Sequence, residues 1–267
     1  QEIDSIIKDL TSNNLLEVEI AYFVAACYNN KLTDKEVMYL TKATVKEGKK
    51  LKLNKKIIAD KHCIGGVPNN RTTMLITPIV AAAGITMPKT SSRSITSPSG
   101  TADTMEVLSE ISFDINQMKK IIKKTNACMV WNEGMEVTGA DSKLIKIRHP
   151  LRLDPPGLMI ASILAKKHAV GATHLLIDIP IGKTAKVKTK KEAKILKKRF
   201  EKISRILKIK IKVIITEAKQ PIGNGIGPAL EARDVLRILQ RKKGAPKDLE
   251  KKAIMMADRI FKLTNTK

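Results

Sequence analysis

Apolar positions recur at two spacings along this chain, and the change falls near residue 56. Over the first fifty residues the spacing is helical. Ile3, Ile6, Ile7 and Leu10 share one face. "LLEVEIAYFVAACYNN" continues as a largely buried helix, and "LTDKEVMYLTKATVKEG" opens on a capping box, Thr33 with Glu36 three residues on, and stops at Gly48. After residue 56, short apolar runs alternate with helical segments. "KIIADKH", "ITMPK", "ACMVW", "THLLIDIPIG" and "IKVIITE" read as strands. Between them "RTTMLITPIVAAAG" reads as a helix that Pro78 kinks or breaks, "ADTMEVL" as one capped by Thr101 or Asp103, and "INQMKKIIKKT" as one capped by Asp114 with Gln117. "PPGLMIASILAKKHAVG" has prolines in its first turn and glycine at its end, and Thr189 boxes Glu192 at the head of the next helix. "GIGPALEARDVLRILQRKKG" and a stretch from about Lys247 to Leu263 complete the set. Strands alternating with helices predict an α/β fold with a mainly parallel sheet, preceded by an all-α lobe.

Composition narrows the classes. At 267 residues and 43% hydrophobic, the chain can bury a sizeable core. Its longest apolar runs, Ile20 to Cys27 and Met74 to Ile85, are too short to span a bilayer. Cys27, Cys63 and Cys128 are scattered, which fits a reducing, cytoplasmic setting, and His62, His149, His168 and His174 form no metal pattern. His168, near a helix end, reads as a partner of the helix dipole. The net charge of +24 would draw anionic ligands or nucleic acid. Lys and Arg alternate with Ile and Leu in helical rhythm around Thr189 to Lys210, however, and aromatics are only 3%, so solvated helix faces explain the charge better than a base-stacking surface.

Candidate chemistry sits in loops that follow strands and precede helices, where parallel α/β folds bind ligands. In "DKHCIGGVPNNRTTM", Gly65 and Gly66 either make a tight turn or let backbone approach an anion beside Lys61 and the helix start near Thr72. In "KTSSRSITSPSGTADTMEVL" nine hydroxyls surround Arg93: Thr90, Ser91, Ser92, Ser94, Thr96, Ser97, Ser99, Thr101 and Thr104. A helix cap needs one hydroxyl, so this loop fits a phosphate group better. Asp154, just before Pro155 and Pro156, reads alone as a helix cap. Lys183, Lys186 and Lys188 form a basic loop after a strand, either solvated or with one lysine reaching the cleft.

Those motifs carry a resemblance. "DKHCIGGV" with "PIVAAAGITMPKTSSRSITSPSGTADTMEVL" resembles the thymidine/pyrimidine-nucleoside phosphorylase family, and "GGVPNNRTT" and "DPPGLMIASILAKK" resemble its archaeal AMP phosphorylase branch more closely. The resemblance implies an all-α lobe (1–55 plus about 150–172) and an α/β lobe (56–149 plus 173–267) closing over a cleft. It also implies a homodimer or higher homo-oligomer formed through the α lobe. The family's N- and C-terminal domains have no counterpart in the stretch given, which is expected to be the central core. The implied reaction is phosphorolysis of a nucleoside 5′-monophosphate. AMP and phosphate, a co-substrate, would give adenine and ribose 1,5-bisphosphate, with CMP and UMP as further substrates and no cofactor or metal. Motif by motif, the nucleotide contacts would be Gly66, Ser92, Arg93, Ser94, Ile95, Thr96, Ser97, Thr101, Ser162 and Lys186, and the proton donor Asp154. In nucleoside-specific relatives the residues matching Lys61, Ser91 and Thr101 would hold inorganic phosphate, and those matching Arg148, Ser162 and Lys166 the base. Lys61-His62-Cys63 stands where those relatives have Lys-His-Ser, and their second-loop histidine is replaced around Ser97, which favours the nucleotide branch. Two dianions side by side would repel by several kcal/mol, roughly, at intermediate dielectric. The cationic and hydroxyl groups are expected to offset this, and Asp154 is expected to keep its proton through burial or the adjacent anions.

Overall fold

A computed structural model describes residues 1–94, 99–131 and 139–266. Three helices open the chain: α1 (Glu2–Thr11), α2 (Glu17–Asn29) and α3 (Asp34–Lys46). The expected box at the head of α3 is present. The Glu36 N–H donates to Thr33 Oγ1 at 3.3 Å, and the Thr33 N–H donates back to the Glu36 carboxylate at 2.7 Å. Then come β1 (Ala59–Cys63), α4 (Thr72–Ala82), β2 (Met87–Ser91), α5 (Thr101–Glu106), α6 (Ile115–Thr125) and β3 (Ala127–Trp131). The second half holds α7 (Gly139–Arg148), α8 (Pro156–Ala169), β4 (His174–Ile181), α9 (Lys190–Ile206), β5 (Lys210–Glu217), α10 (Pro228–Leu239) and α11 (Lys247–Thr264). Pro78 neither ends nor splits α4; it lies exposed inside the helix. The helix α7 has no counterpart in the pattern-based reading.

All strand pairs are parallel: β1 with β4, β4 with β5, and β2 with β3. A bridge from Ile58 to Thr86 links the two sheets, so the strands follow in the order β3, β2, β1, β4, β5. β4 is apolar and buried almost throughout, as a central parallel strand with both faces covered requires. Leu175, Ile177 and Ile179 face one core, shared with α1, α2, α3, α8 and α9, while Leu176 faces a second core built from α4, α10 and α11. The N-terminal helices are thus continuous with the sheet through β4. α7 packs against α1 and α2, on the helical side. Lys143 on α7 donates to the carbonyl of Leu10 at 2.6 Å, satisfying an acceptor at the end of α1.

Candidate active site

The carboxyl ends of β1 and β2 lie side by side, and the loops leaving them line a polar cavity of about 120 Å³. Lys61, His62, Cys63, Gly65, Gly66 and Arg71 come from the first loop and its strand; Ser91, Ser92, Arg93, Ser99 and Thr101 come from the second. Six of the expected residues therefore meet in one place: Lys61, Gly66, Ser91, Ser92, Arg93 and Thr101. Gly66 is held by its surroundings. Its φ is +89°, and a Cβ there would lie 2.7 Å from both Ala185 Cα and Lys186 N. Only glycine lets the first loop lie on the backbone of the basic loop after β4.

Beneath the cavity the charges are buried. Lys61 is fully buried and donates to Thr72 Oγ1 at 2.9 Å. Asp60 lies 2.8 Å from Lys167 Nζ and 3.4 Å from Lys89 Nζ, and Lys89 also donates to the Lys61 carbonyl at 2.6 Å. Burial pushes the Asp60 carboxyl up, but Lys167 and Lys89 outweigh it and hold it below the usual carboxylate range. Burial likewise pushes Lys167 down to about 7, against the attraction of Asp60. His62 is held well below the ordinary imidazole range, first by burial and then by Lys167, Lys89, Lys166 and Lys61. It faces the cavity as a neutral ring. Burial also raises the Cys63 thiol, so it stays protonated; its sulfur accepts from Asn70 Nδ2 at 3.1 Å.

The second loop is built differently from the expectation. Several of its hydroxyls brace the loop itself. Ser94 donates to Asp103 at 2.6 Å, Ser99 to Glu231 at 2.6 Å, and Thr104 to the Gly100 carbonyl at 3.0 Å. Thr101 accepts from Arg71 at 3.1 Å. Neither Thr101 nor Asp103 is the N-cap residue of α5. That position is Gly100, whose N–H donates 2.6 Å to Asp103 Oδ2. Arg93 lines the cavity, but its guanidinium is already forked onto Glu106 and stacks 4.7 Å from the Trp131 ring. It is thus a partnered cation. Ile95, Thr96 and Ser97 lie outside the described residues.

A second cluster adjoins the first through Lys186. Asp154 does not cap α8, whose N-cap position is Pro155. Its two oxygens accept from Arg148 Nη1 at 2.8 Å and Lys186 Nζ at 2.5 Å. Deep burial, one of the two expected causes of a retained proton, is not found. The side chain is 35% exposed and flanked by two cations. Arg148, Asp154 and Lys186 line a further hollow of about 240 Å³. Ser162 accepts from Lys166 at 3.2 Å, and Lys166 pairs with the buried Asp141 at 2.7 Å. His168 is lowered by burial and by Lys50, so it does not serve as a cation at the end of α8.

The reading from sequence missed Asp141, Arg71, Lys89, Lys167 and Glu231. One signal was available for Glu231. Glu231 falls on the same helical stripe as Val235 and Ile238, which are buried, so a carboxylate sat on the apolar face of α10. Among the described residues no group of three His, Cys, Asp or Glu side chains could hold a metal, and no helix is long and apolar enough to cross a membrane.

A protein of Albidiferax ferrireducens named "Putative thymidine phosphorylase" is 45% identical over 256 residues, 96% of this chain and 49% of its own length. A protein of the same name from Legionella pneumophila strain Corby is 45% identical over 257 residues, covering 96% and 50%. The chain spans about half the length of these curated relatives. Among solved structures, anthranilate phosphoribosyltransferase from Thermus thermophilus superposes with a TM-score of 0.79 at 15% identity, over 100% of this chain and 85% of that one. The Saccharomyces cerevisiae enzyme, solved with PRPP and Mg, gives 0.56 at 16% identity, over 74% and 52%. These two show a shared fold: an N-terminal helical part on an α/β domain with parallel sheets. The profile of the glycosyl transferase family, a/b domain, matches residues 55–265, and the chain belongs to that family.

Proposed function

We propose that the protein catalyses phosphorolysis of the N-glycosidic bond of pyrimidine nucleosides. An oxygen of inorganic phosphate attacks C1′, the bond from C1′ to the base nitrogen breaks, and its electron pair leaves with the base. The products are ribose 1-phosphate, or its deoxy form, and the free base. The observation that carries this reading is the cavity at the ends of β1 and β2, where Lys61, Ser91, Ser92 and Thr101 converge beside the Gly65–Gly66 backbone. More cations than carboxylates are buried there, Lys61, Arg71, Lys89 and Lys167 against Asp60, Asp178 and Glu231, so a bound anion offsets a surplus. The printed names of the 45% identical relatives support the choice of nucleoside. Arg148 takes up charge developing on the leaving base, and Asp154 holds Arg148 and Lys186 in place.

One observation favours a second reading, a nucleoside 5′-monophosphate as substrate. A second cationic position, Lys186 with Arg148, adjoins the first, so there are places for two anions. Thymidine, uridine and AMP, each incubated with phosphate and the purified protein, separate the two. Released thymine or uracil with pentose 1-phosphate supports the first. Adenine with ribose 1,5-bisphosphate, and no reaction of the nucleosides, supports the second. No phosphate-dependent release of any base overturns both.

A further inference from the structure

Glu231 lies on α10, more than a hundred residues from both anion-facing loops, yet it is fully buried where the two loops meet. Its Oε1 accepts the N–H of Asn69, in the first loop, and of Gly227, each at 3.3 Å. Its Oε2 accepts the hydroxyls of Ser99, in the second loop, at 2.6 Å and of Thr104, on the helix α5 that follows it, at 3.2 Å, and lies 2.7 Å from Arg71 Nε. Arg71 completes the connection. Its Nη1 donates to Thr101 Oγ1 at 3.1 Å and its Nη2 to the Ser99 carbonyl at 2.8 Å. Thr101, Ser99 and Arg71 line the cavity; Glu231 does not. One carboxylate thus gathers donors from three loops, and one guanidinium relays its position to the cavity wall.

We propose that the Arg71–Glu231 pair is a positioning device that fixes the gap between the glycine loop and the Ser/Thr loop, and so sets the affinity of the cavity for phosphate. The inference rests on reading that cavity as the phosphate subsite. A buried ion pair adds little stability compared with well-packed apolar groups, and specifying one geometry is its better-attested use. Planarity matters as well as charge. Arg71 presents Nε to Glu231 while both Nη atoms reach the second loop, and a lysine cannot bond to all three partners at once in that fork.

The test uses Glu231→Gln and Arg71→Lys, with Thr104→Val as a milder variant that removes one hydroxyl from Glu231 outside the cavity. Two quantities are read: the rise in Tm produced by inorganic phosphate, and KM for phosphate against KM for the nucleoside. Both charge variants are expected to bind phosphate about tenfold or more weakly, with nucleoside KM within about threefold. Thr104→Val is expected to weaken phosphate by about threefold. A purely structural role would lower Tm without this split. Folded Glu231→Gln with unchanged phosphate affinity, or with equal losses for both substrates, overturns the proposal. If Glu231→Gln does not fold, unchanged phosphate binding in Thr104→Val overturns it. A wild-type protein that inorganic phosphate fails to stabilise overturns it too. A wild type stabilised by phosphate but inactive on every nucleoside, with Glu231→Gln losing that stabilisation, sinks the functional reading and leaves the positioning role standing.

Discussion

A single carboxylate, Asp154, shows how much a residue's role depends on neighbours that the sequence does not reveal. Alone it reads as a helix cap, and by family resemblance as a proton donor. The structure gives it two cations, Arg148 at 2.8 Å and Lys186 at 2.5 Å. With both oxygens accepting, it is placed to orient those cations, the role proposed for it above. Asp154→Asn is therefore expected to lower kcat by about a hundredfold while phosphate KM stays within about threefold. The pH profile separates the roles: a positioning residue leaves the alkaline limb of kcat in place, whereas a proton donor takes that limb with it when removed. Unchanged kcat would remove Asp154 from the reaction. Residues that converge through loops at adjacent strand ends, such as Lys61, Gly66 and Ser92, were legible, because parallel topology brings those loops together. Arg71 and Lys167 were not, and Glu231 showed only as a carboxylate on an apolar stripe, without its partners. Their partners lie far along the chain, and one-dimensional spacing carries no trace of a contact made across two cores.

Elements were legible where their stabilisation is local. The boxes at Thr33, Asp114 and Thr189 all form, because each closes within four residues. α7 escaped notice because it has no apolar stripe. Its buried residues include Asp141 and Arg148 beside Ala140 and Leu144, and its contacts are partly ionic and long-range. Glycines test the coupling between elements. Gly66→Ala would push a Cβ to 2.7 Å from the Ala185–Lys186 backbone, at a φ of +89°. Moving Lys186 by about an ångström is expected to cost roughly a hundredfold in kcat/KM. Gly84→Ala is the control: its φ is also positive, +80°, but a Cβ there meets nothing within 4 Å. It should lose stability, about 1 kcal/mol, and keep kcat/KM. Equal activities in the two variants would show that the loop contact does not position Lys186.

For the whole molecule, charge decides how stability depends on pH. The chain carries +24, and cations also crowd the interior around Asp60. His62 titrates well below 6.5 in the folded protein, because of burial and then the surrounding lysines. Below about pH 6.5 the unfolded chain takes up a proton that the folded one refuses, so stability falls with acidification. Lys167, pushed down to about 7 by burial against the pull of Asp60, acts in the same direction at higher pH. Between about 7 and 10.5 the unfolded chain still holds the proton that the folded one has released, so stability rises through that window. Self-repulsion of the positive surface also weakens as pH increases. The urea midpoint at fixed ionic strength is therefore expected to climb from pH 5.5 through pH 9. His62→Gln should flatten the limb below 6.5 and leave the upper limb unchanged. A midpoint that shows no further rise between pH 7 and 9 would mean that Asp60 keeps Lys167 charged through that window. The surplus of buried cations beneath the cavity would then be larger at neutral pH, and a bound anion would stabilise the fold more than the present balance of charges implies.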